Sequence, residues 1–206
     1  MVHEPVSVVL FDLGGVVCPF DPAPRLTRLA ALSHLTEDEV RARIFESGLT
    51  ADFDRGRYTS AEWHELVCNE LGVTLSFDEF EDVMLNVVTL DPVVLHLVHH
   101  LSVRVALLTD NPPMMAEAMP RRFPALVGVF EPMIFSYQLG VLKPELEAFR
   151  LAVERIGVPA GDVLFIDDTA ANVEGARAAG LQAYHFTSSA ALAQELHERG
   201  LLEGLN

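Results

Sequence analysis

Residues 11–17 read FDLGGVV. A run of apolar residues, VSVVLF (6–11), ends there on an acid, Asp12, and two glycines follow at once, Gly14 and Gly15. A strand that stops on a carboxylate and then frees its backbone from Cβ constraints is suited to bringing main chain close to a ligand. In open α/β sheets, ligands bind at the carboxyl ends of the strands. How FDLGGVV is to be read therefore depends on what stands at the other strand ends.

Four more runs share its apolar character: VRVALLT (103–109), PMIFS (132–136), DVLFID (162–167) and LQAYHF (181–186). They are rich in Val, Ile, Leu and Phe without strict alternation, the pattern of a parallel sheet covered on both faces. Helical patterns separate the later runs, among them ELEAFRLAVERIG (145–157) and AANVEGARAAG (170–180), each closed by a glycine suited to a helix C-terminus. This alternation predicts an α/β fold with a doubly wound, parallel, five-stranded, Rossmann-like sheet.

Residues 12–102 carry no convincing strand pattern. Helix-like segments fall at 22–33, 36–46, 60–71, 76–87 and 91–101, and Thr36 with Glu39 and Ser76 with Glu79 form two capping-box starts. One crossover does not need that much chain. Residues 19–90 are therefore expected to form a small α-helical cap inserted after the first strand, with 1–18 and 91–206 making the core domain. A helix at 188–200 closes the chain.

Composition narrows the function. Half of the 206 residues are hydrophobic, enough for a substantial core, and 30 acidic residues against 14 basic ones give a formal charge of −16. Such a field repels phosphate backbones and anionic lipid, so neither nucleic acid nor membrane is the expected partner. A small anionic substrate would need local positive charge or a metal ion. Cys18 and Cys68 form no CxxC pair, which disfavours a disulfide scaffold or structural zinc. Asp12 and Asp21 interrupt the apolar N-terminal stretch, and no run approaches the roughly 20 apolar residues of a membrane helix. A cytoplasmic protein is expected; oligomeric state is not readable.

Each strand or loop end delivers polar groups to one edge of the sheet: Asp12 after the first strand, then Thr109, Asp110 and Asn111, then Lys143, then Asp167 and Asp168. Any one of these is unremarkable, since Asp and Asn commonly end strands or cap helices. Together, in this order, they suit phosphoryl transfer through an enzyme carboxylate. Asp12 can attack phosphorus. The carboxylates at 12, 167 and 168 make a hard oxygen site matched to Mg²⁺. Thr109 and the backbone amides after it, those of Asp110 and Asn111, can hydrogen-bond phosphate oxygens, and Lys143 adds a neutralising cation.

These motifs, hhhDxG in VVLFDLGGVV, the strand-ending Thr in VALLTDN, the Lys-Pro of GVLKPE and the paired acids of LFIDDTAANVEGARAAG, resemble the haloacid dehalogenase-like (HAD) hydrolase superfamily with a type-1 helical cap. The chain is especially similar to the branch of glucose-1-phosphate phosphatase-like enzymes and the phosphatase domain of soluble epoxide hydrolase. The resemblance implies Asp12 as nucleophile and metal ligand, Thr109 and Lys143 as phosphate binders, and Asp168 as direct metal ligand. Asp167 would act nearby or through water, and Asn172 would support the site. A small phosphorylated metabolite, such as a sugar phosphate, is the implied substrate.

The departure is Gly14, where most phosphatases of the family carry a second acid that protonates the leaving oxygen, a role worth about 10²–10⁴ in rate. The carbonyl of Gly14 can still ligate metal. Either another acid substitutes, or the leaving group needs none, or activity is lost. Asp21 is the nearest substitute, and it also reads as the N-cap of the helix at 22. Two alternatives to the phosphatase stand: a 2-haloacid dehalogenase, which Gly14 permits but the Asp167–Asp168 pair argues against, and a catalytically weak HAD-fold protein that binds a ligand or partner. His99–His100 read as surface or helix-end residues. Arg55, Arg57 and Trp63 read either as a solvated loop with a Trp-anchored helix or as substrate contacts.

Overall fold

The computed structural model describes residues 4–203. Five parallel strands, β1 (Val8–Phe11), β2 (Arg104–Thr109), β3 (Met133–Phe135), β4 (Val163–Asp167) and β5 (Gln182–His185), lie in the order β3-β2-β1-β4-β5. The five expected runs are the five strands, each trimmed by one or two residues at its ends. β1 sits at the centre, between the strands that precede and follow the switch in winding direction.

Alternation along β1 sends its side chains to two cores. Val8 and Leu10 pack with Phe165 against Phe149 and Ala152 of α9 (Leu146–Ile156) and Ala176 of α10 (Ala170–Ala178). Val9 and Phe11 join a larger core with α6 (Pro92–His99), α7 (Pro113–Arg122) and α11 (Ser189–Glu198). Every β1 residue is fully buried, and each such Leu or Phe contributes about 1.5–3 kcal/mol. A sheet covered on both faces leaves only its strand ends for polar groups.

Between β1 and α6 the chain is helical: α1 (Ala23–Ser33), α2 (Glu37–Val40), α3 (Leu49–Asp54), α4 (Ser60–Leu71) and α5 (Phe77–Leu85). The segment leaves and returns side by side. Asp21 N donates to Val87 O, Thr89 N to Pro19 O and Asp91 N to Val17 O, and Phe20 pairs with Val88 in an antiparallel bridge. The capping boxes at Thr36–Glu39 and Ser76–Glu79 are formed, and a third, Thr59–Glu62, starts α4.

Two local expectations change. The helix expected over 36–46 is α for only one turn and continues as a π-helical turn, Arg41–Phe45; such wide turns concentrate at functional sites. Residues 49–54, to which the sequence assigned no element, form α3, a segment too short for periodicity to reveal. Among the described residues, no helix is long and apolar enough to cross a membrane.

Side-chain links join the inserted helices to the strand-bearing part, among them an ion pair from Arg122 to Asp82. Ser60 Oγ donates to Glu117 Oε2 (2.7 Å), Ser136 Oγ at the start of α8 (Ser136–Leu139) to the Asp54 carbonyl (2.6 Å), and Arg55 to Glu145 (2.8 Å). Glu81, 5% exposed, accepts from both Arg121 and Arg122. Burial of that carboxylate is tolerable because two guanidinium groups meet it.

Candidate active site

Strand register assembles the site. Phe11 lies opposite Ile166, so the next residues, Asp12 and Asp167, emerge level with each other from adjacent strands. Two carboxylates held side by side would repel, and Lys143 separates them: its ammonium reaches Asp12 Oδ1 at 2.9 Å and Asp167 Oδ2 at 2.7 Å. All three are buried. Burial alone would lower the Lys143 pKa, but Asp12, Asp167 and Asp110 outweigh it and hold the ammonium charged. Burial pushes the Asp12 carboxyl up to about 7 against the pull of Lys143.

The two acids are engaged differently. Asp167 is fully buried and both its oxygens are occupied: Oδ1 accepts from the Thr169 amide (2.8 Å), Oδ2 from Lys143, and Asn172 Nδ2 lies 3.1 Å from each. It anchors Lys143. Asp12 receives the Leu13 amide (2.7 Å) and Lys143 on the same oxygen, Oδ1, which leaves Oδ2 available. Asp168 is exposed, and among the described residues its Oδ1 meets only a long contact from Thr169 Oγ1 at 3.4 Å.

The remaining residues set orientations. Asn111 Nδ2 donates to Thr109 Oγ1 (2.7 Å), so the Thr109 hydroxyl keeps its proton for another acceptor. The Asp110 carboxylate accepts the Lys143 amide at 3.2 Å on both oxygens, so it braces the lysine loop, and only its backbone remains for a phosphate. Lys143 has three donors and spends two on Asp12 and Asp167, leaving one.

One oxygen from each of Asp12, Asp167 and Asp168 lies within 4.8 Å of the others. These hard donors, with an exposed carboxylate among them, fit a divalent cation such as Mg²⁺. Gly15 has φ +83°, and the Asp168 carboxylate occupies the space its Cβ would need. Gly14 has neither constraint: its φ is not positive and nothing stands within 4 Å of a Cβ there.

A cavity of about 370 Å³ lies between these strand ends and the inserted helices. Asp12, Thr109, Lys143, Asp168 and Asn172 line it on one side, and Phe20, Arg25, Thr50, Phe53, Trp63 and Met84 on the other. Asp21 is exposed and not among its lining residues. The Asp21 carboxylate instead accepts the Ala23 amide at 3.0 Å, so the structure gives it the capping role at the start of α1. Arg57 pairs with Asp52 and Arg55 with Glu145, and neither lines the cavity. Trp63 does line it, stacked on Phe53 with centroids 4.7 Å apart. His100 bonds the His96 carbonyl at its helix end. Sequence reading overlooked Arg25 and Asp54, because nothing local marks a charged residue whose neighbours come from distant segments.

The fold and the site define a hydrolase class. The haloacid dehalogenase-like hydrolase family model matches residues 6–180, and the chain belongs to that family. It is 25% identical to D-ribitol-5-phosphate phosphatase of Bacteroides thetaiotaomicron over 93% of this chain and 97% of that protein. Its fold is shared with a predicted HAD-like family hydrolase from Porphyromonas gingivalis (TM-score 0.82, 24% identity, 94% of this chain and 98% of that one). It is shared too with a HAD family enzyme of B. thetaiotaomicron solved with magnesium and inorganic phosphate (TM-score 0.78, 21% identity, 88% and 94%).

Proposed function

We propose that the protein is a Mg²⁺-dependent phosphatase of a small phosphorylated metabolite, acting through an aspartyl-phosphate on Asp12. The observation that carries this is the Lys143 ammonium held between Asp12 and Asp167, with Asp168 completing a three-carboxylate cluster on the same cavity. A dehalogenase has no use for such a cluster, since its carbon substrate brings no polyanion to be neutralised. The phosphatase relative over 97% of its own length supports the same reading.

In this reading Asp12 Oδ2 attacks phosphorus, the bond from phosphorus to the leaving oxygen breaks with its electron pair going to that oxygen, and water later displaces phosphate from the acyl phosphate. The free Thr109 hydroxyl proton, the backbone amides of Asp110 and Asn111 and the third Lys143 donor bind the equatorial oxygens as charge develops on them. Asp12, the Gly14 carbonyl and Asp168 would hold Mg²⁺, with Asp167 reaching it through water. The ion supplies the positive charge that lets an anionic phosphate approach an anionic nucleophile. Residues 19–90 act as the cap that selects the alcohol, and residues 1–18 with 91–206 as the catalytic core. The two free thiols, Cys18 and Cys68, accord with action in the reducing cytoplasm.

The test is hydrolysis of p-nitrophenyl phosphate by the whole chain, with Mg²⁺ and then with EDTA. Turnover should require the ion and fall to background in Asp12→Asn. Turnover unchanged by chelator, or chloride release from 2-chloropropionate, would overturn the reading.

A further inference from the structure

The cavity wall opposite Asp12 is apolar except at a few points, and one of those points is a cation without a partner. Trp63 is fully buried, lines the cavity, and its indole N–H has no partner among the described residues. Arg25 lines the same cavity half-buried, its Nε is buried and unpartnered, and its guanidinium makes no hydrogen bond or ion pair among the described residues. Buried polar groups are almost always satisfied, so each orphan needs an explanation. Leaving one unpaired costs about the full desolvation of that group.

Neither group is there by accident of packing. The Arg25 guanidinium lies over the Phe45 ring at 4.2 Å, on the π-helical turn, and 5.8 Å from the Phe20 ring at the cavity edge. Stacking fixes the plane of the fork without using its hydrogen-bond donors. Burial pulls the Arg25 pKa down to about 10, which leaves it charged at neutral pH. No carboxylate among the described residues forms an ion pair with it, and burial and the Asp110 charge push the neighbouring Asp54 carboxyl up to about 8. Trp63 is likewise held, stacked face to face on Phe53.

Guanidinium and indole N–H groups donate and cannot accept. Their natural partner is an acceptor-only group, and a neutral hydroxyl would leave its own proton facing an apolar wall. With one unopposed cation on this side, a single negative charge is matched, whereas a second phosphate would bring nearly two. We propose that the substrate is a phosphomonoester whose alcohol portion carries a carboxylate, bound at Arg25, beside Trp63, while its phosphate sits at Lys143 and Thr109. This rests on the phosphatase reading and names the substrate class of the same site.

Trp63 is the only tryptophan in the chain, so its emission reports ligand arrival without turnover. The experiment uses the Asp12→Asn chain with Mg²⁺, titrated with inorganic phosphate, 3-phosphoglycerate and glycerol 3-phosphate, which differ at the carboxylate. The expected result is that 3-phosphoglycerate binds at least about tenfold more tightly than glycerol 3-phosphate, the range of one charged hydrogen bond, and shifts Trp63 emission. Arg25→Met keeps a stem to pack on Phe45 and should abolish that preference, while Arg25→Lys should retain part of it. A merely structural role for Arg25 would weaken both esters equally. Equal affinities in the parent chain, or a preference for the neutral polyol, would overturn the inference while leaving the phosphatase reading intact. Failure of inorganic phosphate and both esters to bind would overturn both.

Discussion

The carboxylate of Asp168 occupies the space that a Cβ on Gly15 would need, and Gly15 holds φ +83°. Glycine is required there twice over, once by backbone conformation and once by the acid it faces. Gly15→Ala should lose about 1–2 kcal/mol to the left-handed backbone. Displacing Asp168 should raise the Mg²⁺ concentration for half-maximal activity by about 10- to 100-fold. Mg²⁺ titrations of activity together with urea midpoints check this; an unchanged metal requirement would place Asp168 outside the ion site.

Gly14, one residue earlier, is open. Its φ is not positive and no atom stands within 4 Å of a Cβ, so Gly14→Asp should fold with a nearly native Tm. The new acid would supply the missing proton. Turnover of an alkyl phosphate should rise by about 10² or more, while p-nitrophenyl phosphate, whose phenolate leaves unaided, should gain far less. Asp21→Asn should leave the ratio of the two unchanged, because that side chain caps α1 and Asn caps as well as Asp.

Removing the Lys143 ammonium leaves Asp12 and Asp167 buried without a cation. Lys143→Met should cost about 3–5 kcal/mol of unfolding free energy in EDTA, the usual result of deleting one partner of a buried pair. Activity should fall by about 10²–10³, as for other lost transition-state donors. Mg²⁺ should restore part of the stability and little of the rate, and urea melts with and without the ion separate the two effects.

Asp54 couples stability to pH. Its folded pKa is raised from 3.8 to about 8 by burial first and by the Asp110 charge second. The folded state therefore holds that proton more tightly than the unfolded chain does. The stabilisation is complete below about pH 4 and is lost as pH rises toward 8. Asp54→Asn removes this contribution, so the mutant should gain on the wild type as pH increases. Urea midpoints of both at pH 4.5, 6 and 8 should show the difference rising steadily; a flat difference would mean Asp54 ionises normally.

What could be read from residues alone was local or ordered along the chain. Strand runs, glycine helix ends and two capping boxes depend on neighbours within a few positions, and the order Asp12, Thr109, Lys143, Asp168 depends only on which element each residue follows. That was enough for the parallel sheet and for a carboxylate cluster at its carboxyl edge. Tertiary structure decided everything that depended on partners far apart in sequence. Register across β1 and β4 set Asp12 level with Asp167, and the two occupied oxygens of Asp167 turned it into the anchor for Lys143. Asp21 went to the Ala23 amide rather than to the cavity. Arg25, overlooked in the sequence, reached the same cavity as Asp12 because α1 folds back over the strand ends. Side-chain partners are chosen by packing between distant segments, and no periodicity along one segment encodes that choice.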